Sequence, residues 1–267
     1  MKYENDISAD AIASGLNTQF IARRVSHYAQ ATSTNDLARK RADAGEPEGT
    51  LVVADEQTAG RGRMGRSWIA PPRSSILMSL ILRPTLEPSQ IARVTMAVSL
   101  ATCDGIRSIT GLEAQIKWPN DILIRGLKCG GILAEASTTG ERVEYVIVGL
   151  GLNVNFAAAA VEKFPADATT LADQVGRELP RVALAQAILR ATEGYYLTIR
   201  AGKDLRSHWL AHLVTLNQPV RAQTPWGIEE GLAEDFDAEG ALLLRRTDGS
   251  LVRLVAGDVS LSGLSLQ

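Results

Sequence analysis

The sequence predicts an α+β chain with a second, all-β module at its C-terminal end, and three observations predict it. Aliphatic runs of strand length, TLVVADEQ at 50–57 and SILMSLIL at 75–82, alternate with stretches of helical spacing through about Ala201. A dense series of strand patterns, AQIKW, DILI, KCGGILAEAS and VEYVIVGLGLNVNF, is punctuated by Pro119, Gly126 and Gly140. From Asn217 onward the texture changes to short alternating runs joined by EG and DG turns. The expected division is therefore 1–215 and 216–267.

Taken in order, the segment from Ser8 to about Ile21 reads as a short helix followed by a strand. In STNDLARKRADAG a helix starts near Thr34 or Asn35, because Ser33 or Thr34 is able to cap backbone donors, Asp36 sits in the first turn and Gly45 stops the run. The two aliphatic runs then suspend a glycine loop between buried strands. Ser89 is the expected cap of a helix that keeps its spacing to Gly111, and a second long helix runs from Arg181 to about Ala201. FAAAA, after Asn155, reads as a flexible surface segment.

With 267 residues, 45% of them hydrophobic, the chain can bury one large or two modest cores. A net charge of -2 gives no global positive field, so neither a nucleic acid nor a membrane is an expected partner, and any anion must be held by local basic residues. Cys103 and Cys129 fit neither a disulfide framework nor a zinc knuckle, and no signal peptide or membrane-length apolar stretch is read. The reducing cytosol is the expected compartment. His27, His208 and His212 show no metal-ligand spacing.

The loop itself, GRGRMGRSW from Gly60 to Trp68, contains GxGxxG. A dinucleotide fingerprint needs a helix that starts inside the loop and an acidic residue about 20 positions on. Here Pro71 and Pro72 break any such helix, and no Walker-type GxxxxGK[ST] exists elsewhere. What stands out is that Arg61, Arg63 and Arg66 alternate with Gly60, Gly62 and Gly65. Arginine stays protonated and its planar fork matches carboxylate and phosphate oxygens. The loop is suited to close on anions, and is expected to move until negative charge orders it.

Four further blocks accompany the loop: STN at Ser33 to Asn35, KWPND at Lys117 to Asp121, LKCGGILAE at Leu127 to Glu135, and VGLGLNVN at Val148 to Asn155. In order and spacing the five resemble the signature blocks of biotin protein ligase, also called biotin–acetyl-CoA-carboxylase ligase. The resemblance spans Ser33 to Asn155, with a small C-terminal β module as in that family. It implies a mixed sheet packed against helices, related to class II synthetases, followed by an SH3-like barrel. It also implies a two-step reaction: biotin and ATP give biotinyl-5′-AMP and pyrophosphate, and a lysine of a biotin carboxyl carrier domain then takes the biotinyl group.

The same resemblance assigns the residues. Lys128, Arg63 and Asp121 would be catalytic, Lys128 meeting the biotin carboxyl and α-phosphate and Asp121 orienting the attacking amine. Ser33, Thr34, Asn35 and Gln57 would hold the ureido ring, with Gly60, Arg61, Gly62, Arg63, Lys128, Gly131 and Gly149 completing the biotin side. Arg63, Arg66, Trp68, Lys117, Asn120, Lys128 and Asn153 would face ATP. Ser33 and Thr34 have capping as a competing role, and Trp68 reads equally as core or adenine contact. No dedicated metal cage is visible, so Mg²⁺ is expected mainly through the ATP phosphates.

The rivals are a lipoate or octanoate ligase, disfavoured by GRGRMGR and KWPND, and a biotin-dependent repressor. Only roughly 30 residues precede Ser33, fewer than the about 55 a winged-helix domain needs, so a monofunctional enzyme is expected. The resemblance also allows a homodimer through sheet edges, with VEYVIVGL a candidate edge that the sequence alone does not distinguish from a central strand. Met64 stands where relatives often carry a charge, and Cys129 and Gly130 also depart from the pattern.

Overall fold

The computed structural model describes residues 6–261. Ser8 caps α1 (Ala9–Ala13) by accepting from the Ala11 N–H. The strand expected before Ile21 lies instead at β1 (Val25–Tyr28). Its displacement has a clear cause: the Glu193 carboxylate takes the N–H groups of Gln19, Phe20 and Ile21 at 2.7–3.0 Å, so those donors are not free for a sheet.

α2 (Thr34–Asp43) follows, with Gly45 just past its end at φ +85°. Then come β2 (Leu51–Ala54) and β3 (Ser75–Leu82), both buried along their whole length because helices cover both faces. Ser89 is not a cap. Glu87 and Gln90 exchange side-chain bonds around a 3₁₀ turn opened by Pro88, and α3 (Ala92–Thr110) continues from it to a left-handed Gly111. The remaining strands of the large sheet are β4 (Ala114–Lys117), β5 (Asp121–Ile124), β6 (Leu127–Thr139) and β7 (Arg142–Asn153). α4 (Leu171–Val175), α5 (Arg181–Arg200) and α6 (Arg206–Leu210) complete this part. FAAAA includes a short 3₁₀ turn, Ala158–Ala160.

The seven-stranded mixed sheet runs β1-β2-β3-β7-β6-β5-β4, with only β1 and β2 parallel among its pairs. Leu51 and Val53 join the main core under α3 and α5, while Val52, with Ile81 and Ile147, packs on Ala38 and Ala42 of α2 across the sheet. β7 lies between β3 and β6, so VEYVIVGL is not an edge and cannot extend the sheet into a second copy. Its aliphatic face suited either position. Among the described residues the edges are β1 and β4.

β8 (Pro219–Thr224), β9 (Gly227–Phe236), β10 (Leu242–Arg245), β11 (Leu251–Leu254) and β12 (Asp258–Leu261) form an antiparallel sheet ordered β11-β10-β9-β8-β12. Its core is continuous with the larger one. Phe236 packs on Trp118 and Trp209, at centroid distances of 6.4 and 5.5 Å, and the Trp118 Nε1–H donates to the Gly240 carbonyl at 2.9 Å. The small sheet is thereby fixed against the KWPND turn.

Candidate active site

The glycine loop joins β2 to β3 and is folded on itself. Gly62 N–H donates to the Arg66 carbonyl at 2.6 Å and Trp68 N–H to the Gly60 carbonyl at 2.9 Å, around a 3₁₀ turn in which Met64 takes φ +53°. No α-helix starts within it, as the two prolines require. The loop roofs a cavity of about 430 Å³. Of the residues assigned from the sequence, Ser33, Thr34, Asn35, Gln57, Arg61, Gly62, Arg63, Arg66, Trp68, Lys117, Asn120, Asp121, Lys128, Gly131, Gly149 and Asn153 all line it. Gly60 does not line it. A Cβ there would lie 2.6 Å from the Trp68 carbonyl, so glycine closes the neck of the loop instead.

One wall is tightly hydrogen-bonded. Gln57 Oε1 accepts from the Thr34 backbone N–H at 2.7 Å and lies 3.1 Å from the Thr34 hydroxyl. Ser79 Oγ stands 2.8 Å from that hydroxyl and 2.6 Å from Asn35 Oδ1, and Asn35 Nδ2 donates to Leu133 O and Glu135. Ser33 sits at the N-cap position but makes no side-chain cap bond, so capping does not occupy its hydroxyl. Gly149 is required by this network, since a Cβ would fall 2.0 Å from Asn35 Oδ1.

Charge collects at the centre. Lys128 Nζ is 2.6 Å from Asp121 Oδ1. A β-bulge explains the placement: β5 pairs Ile122 with Gly130 but Leu123 with Lys128, leaving Cys129 unpaired and fully buried. The extra residue puts Lys128 on the same face as Gly131, whose Cβ position would be 3.6 Å from Lys128 Cε and 3.7 Å from Asp121 Oδ1. The Lys128 backbone is fixed by Asp167 O and Thr169 N, each at 2.8 Å. Burial pushes the Arg63 guanidinium below its ordinary pKa, opposed by nearby Asp121 and assisted by Arg66.

The loop arginines are not idle. Arg61 pairs with Asp36 and Glu135, Arg63 donates to the Gly257 carbonyl at 3.2 Å, and Arg66 pairs with Asp258. The loop thus touches α2 and β6 at one end and the small sheet at the other. Trp68 lies on a glycine floor, where a Cβ on Gly151 would meet its ring at 2.7 Å. Its Nε1 and the Asn153 Oδ1 are buried without a hydrogen-bond partner. Asn120 spends its amide on the Ile132 carbonyl at 2.7 Å, and Trp118, inside the same motif, is 2% exposed and belongs to the core.

Residues 27–153 match the model of the biotin/lipoate A/B protein ligase family, and residues 215–262 match the biotin protein ligase C-terminal domain. Across 89% of this chain and 88% of the relative, the sequence is 36% identical to the biotin–[acetyl-CoA-carboxylase] ligase of Mycobacterium tuberculosis. The chain belongs to the biotin protein ligase family. It is also 35% identical to the bifunctional ligase/repressor BirA of Bacillus subtilis, over 98% of this chain and 81% of that protein. In fold it resembles the Aquifex aeolicus biotin protein ligase in complex with biotin and ATP, with a TM-score of 0.76, 23% identity, and 90% of this chain and 99% of that one covered.

For a biotin protein ligase chain, the sequence reading overlooked three contributors. Ser79 supports the wall from an ordinary strand position that nothing in its spacing marks, and Glu135, although it ends the LKCGGILAE block, was given no role there. Lys163, Phe164, Pro165, Asp167 and Ala168 add a second flank beside Lys128. The return of Ala168 to pair with Lys128 is a long-range contact with no local signature. Asp258 brings the small sheet to the cavity in the same way.

Proposed function

We propose that the protein attaches biotin to a lysine of a biotin carboxyl carrier domain, with ATP as the activating substrate. The observation that carries this reading is the convergence of Lys128 and Asp121 with Arg63 of the arginine loop, beside a polar wall already fixed in place. In the first step a biotin carboxylate oxygen forms a bond to the α-phosphorus while the bond to pyrophosphate breaks. Lys128 and Arg63 would offset charge on the carboxylate and the phosphoryl oxygens. In the second step the carrier amine attacks the acyl carbon, loses a proton and displaces AMP. Asp121, ion-paired with Lys128 at 2.6 Å, would orient that amine.

Ser33, Thr34, Asn35 and Gln57 would receive the ureido ring, and Trp68, Lys117, Asn120, Asn153 and Arg66 the nucleotide. The unpaired Trp68 Nε1 and Asn153 Oδ1 support a polar ligand on that side. Mg²⁺ would travel on the ATP phosphates and neutralise their charge, because no group of three or more His, Cys, Asp or Glu converges among the described residues. The free, buried Cys103 and Cys129 support a reducing cytosol, and no helix among the described residues is long and apolar enough to cross a membrane. We take 1–215 as the catalytic part and 216–267 as the appended module. A homodimer built by sheet extension would use the β1 edge, because at β4 Ile116 already pairs with the 212–214 segment.

The test offers biotin, lipoate and octanoate in parallel, with Mg-ATP and a carrier domain, and reads the acceptor's intact mass. A biotin-sized gain in the first tube alone is expected. A gain with lipoate or octanoate alone moves the chain to the other branch of the family, and no gain with any acid sinks the reading for that acceptor.

A further inference from the structure

The carboxylate of Glu135 is the meeting point of three segments. Its Oε1 accepts from Arg61 Nη1 at 3.0 Å and lies 3.1 Å from Arg39 Nη2; its Oε2 accepts from Arg61 Nη2 at 2.8 Å and from Asn35 Nδ2 at 2.8 Å. Arg61 belongs to the glycine loop, Arg39 and Asn35 to α2, and Glu135 to β6. The two-point contact with Arg61 is the planar geometry that arginine and carboxylate favour, and Asp36 adds a second anion at 2.7 Å. We infer that Glu135 is a positioning residue for the ligase reaction, latching the loop shut over the acyl-adenylate and tying loop closure to the Asn35 wall.

Several observations separate this from an ordinary surface ion pair. The Glu135 side chain is only 20% exposed, and three of its four contacts go to Arg61 and Asn35, which line the cavity that Glu135 itself does not reach; the fourth goes to Arg39 on α2. Arg63 and Arg66 meet the small sheet, through a backbone carbonyl and Asp258, so their heads lie where phosphate oxygens would compete for them. Arg61 instead turns toward α2 and β6, where two carboxylates, Asp36 and Glu135, hold it at once, whereas Arg66 has one carboxylate and Arg63 only a carbonyl. The loop is thereby divided between an anchor, Arg61, and two grips, Arg63 and Arg66. Asn35 is shared: the residue that bonds Ser79 and Leu133 within the polar wall also bonds the anchor. Displacement of Asn35 would disturb the latch, because Asn35 and Arg61 share the Glu135 Oε2.

This assignment rests on the ligase reading, and its test separates the two. The ligand-free protein is treated with trypsin, and cleavage after Arg63 and Arg66 is timed in wild type, Glu135→Gln, Arg61→Gln and the double variant. Each single variant should be nicked about five- to tenfold faster, with the double no faster than either single, because both remove one interaction. Melting temperatures report global stability, and Arg61→Gln, a change on the loop surface, carries the result should Glu135→Gln unfold. In the second measurement, enzyme loaded with labelled biotin and Mg-ATP without carrier is gel-filtered. Glu135→Gln should form pyrophosphate within about threefold of wild type yet lose the acyl-adenylate about tenfold faster. Unchanged nicking, or additive effects in the double variant, overturns the latch whatever the substrate is. Absence of pyrophosphate from wild type with biotin overturns the ligase reading while leaving the trypsin result to decide the latch.

Discussion

The two walls of the cavity differ in how much of their hydrogen bonding is already made. On the α2 side, Thr34, Asn35, Gln57 and Ser79 form one connected network held between two strands and a helix. On the Trp68 side, Trp68 Nε1 and Asn153 Oδ1 are buried with no partner. Buried polar groups seldom stay unpaired without a reason, and a ligand that arrives later is one. The first wall is preorganised at the cost of folding, whereas the second is completed by what binds. Substitutions on the two should therefore fail differently: those on the first lower stability and biotin affinity together, and those on the second change nucleotide handling alone.

Lys128→Ala lies between the walls and has the largest expected effect. Loss of the cation beside Asp121 should reduce pyrophosphate formation by about a hundred- to a thousandfold, with the melting temperature nearly unchanged because the ammonium packs no core. Single-turnover pyrophosphate release checks it, and near-normal release would remove Lys128 from the centre of the reaction.

Gly149→Ala attacks the preorganised wall. A methyl 2.0 Å from Asn35 Oδ1 forces the amide or the strand to move, at about 1–3 kcal/mol. The melting temperature should fall and the KM for biotin should rise, and a variant that changes neither would show that the wall yields freely. Ser79→Ala is milder in shape but leaves Asn35 Oδ1 without its closest donor, at about 1–2 kcal/mol. It should again move stability and biotin KM together.

Trp68→Phe probes the other wall. It keeps the ring against Gly151 and deletes only the unpaired N–H, so stability should hold or rise by about 1 kcal/mol while the KM for ATP increases a few fold. A fall in stability with no change in ATP binding would place Trp68 in the core, the alternative its sequence context left open.

The same contrast marks what could be read from the chain alone. Lys128, Asp121 and the loop arginines were legible because their chemistry is concentrated in short blocks. Gly149 was legible as a glycine, but not its cause, since Asn35 is more than a hundred positions away. Ser79 occupies a strand position that any small or polar residue could fill, and Glu135, though it ends the LKCGGILAE block, carries no local mark of its partners on the loop and α2. Trp118 received no role from the sequence: it sits in a motif beside pocket residues, yet its indole fixes the small sheet. Whether β7 is an edge was open in the sequence, because central and edge strands share one aliphatic texture, and the long-range pairing that makes it central has no local mark. The strand looked for before Ile21 failed on a single distant carboxylate, Glu193.

The smallest expected effect links the walls through acidity. Burial alone would raise the Glu135 pKa, but hydrogen bonds from Asn35 and Arg61, with the charges of Arg61 and Arg39, carry it below the ordinary glutamate value. A carboxylate whose pKa is lowered by folding contributes its full stabilisation above the unfolded pKa and loses it as pH falls through the lowered one. The latch should thus be constant at neutral pH and open only in acid beyond the usual glutamate range. Hydrogen exchange at the Gly62 and Trp68 amides, which close the loop, reports that opening. Protection should decline in wild type as Glu135 protonates, after correction for intrinsic exchange, while Glu135→Gln shows low protection throughout. If wild type and Glu135→Gln are protected alike at neutral pH, the loop is held by Arg63 and Arg66 alone, and the division into anchor and grips disappears.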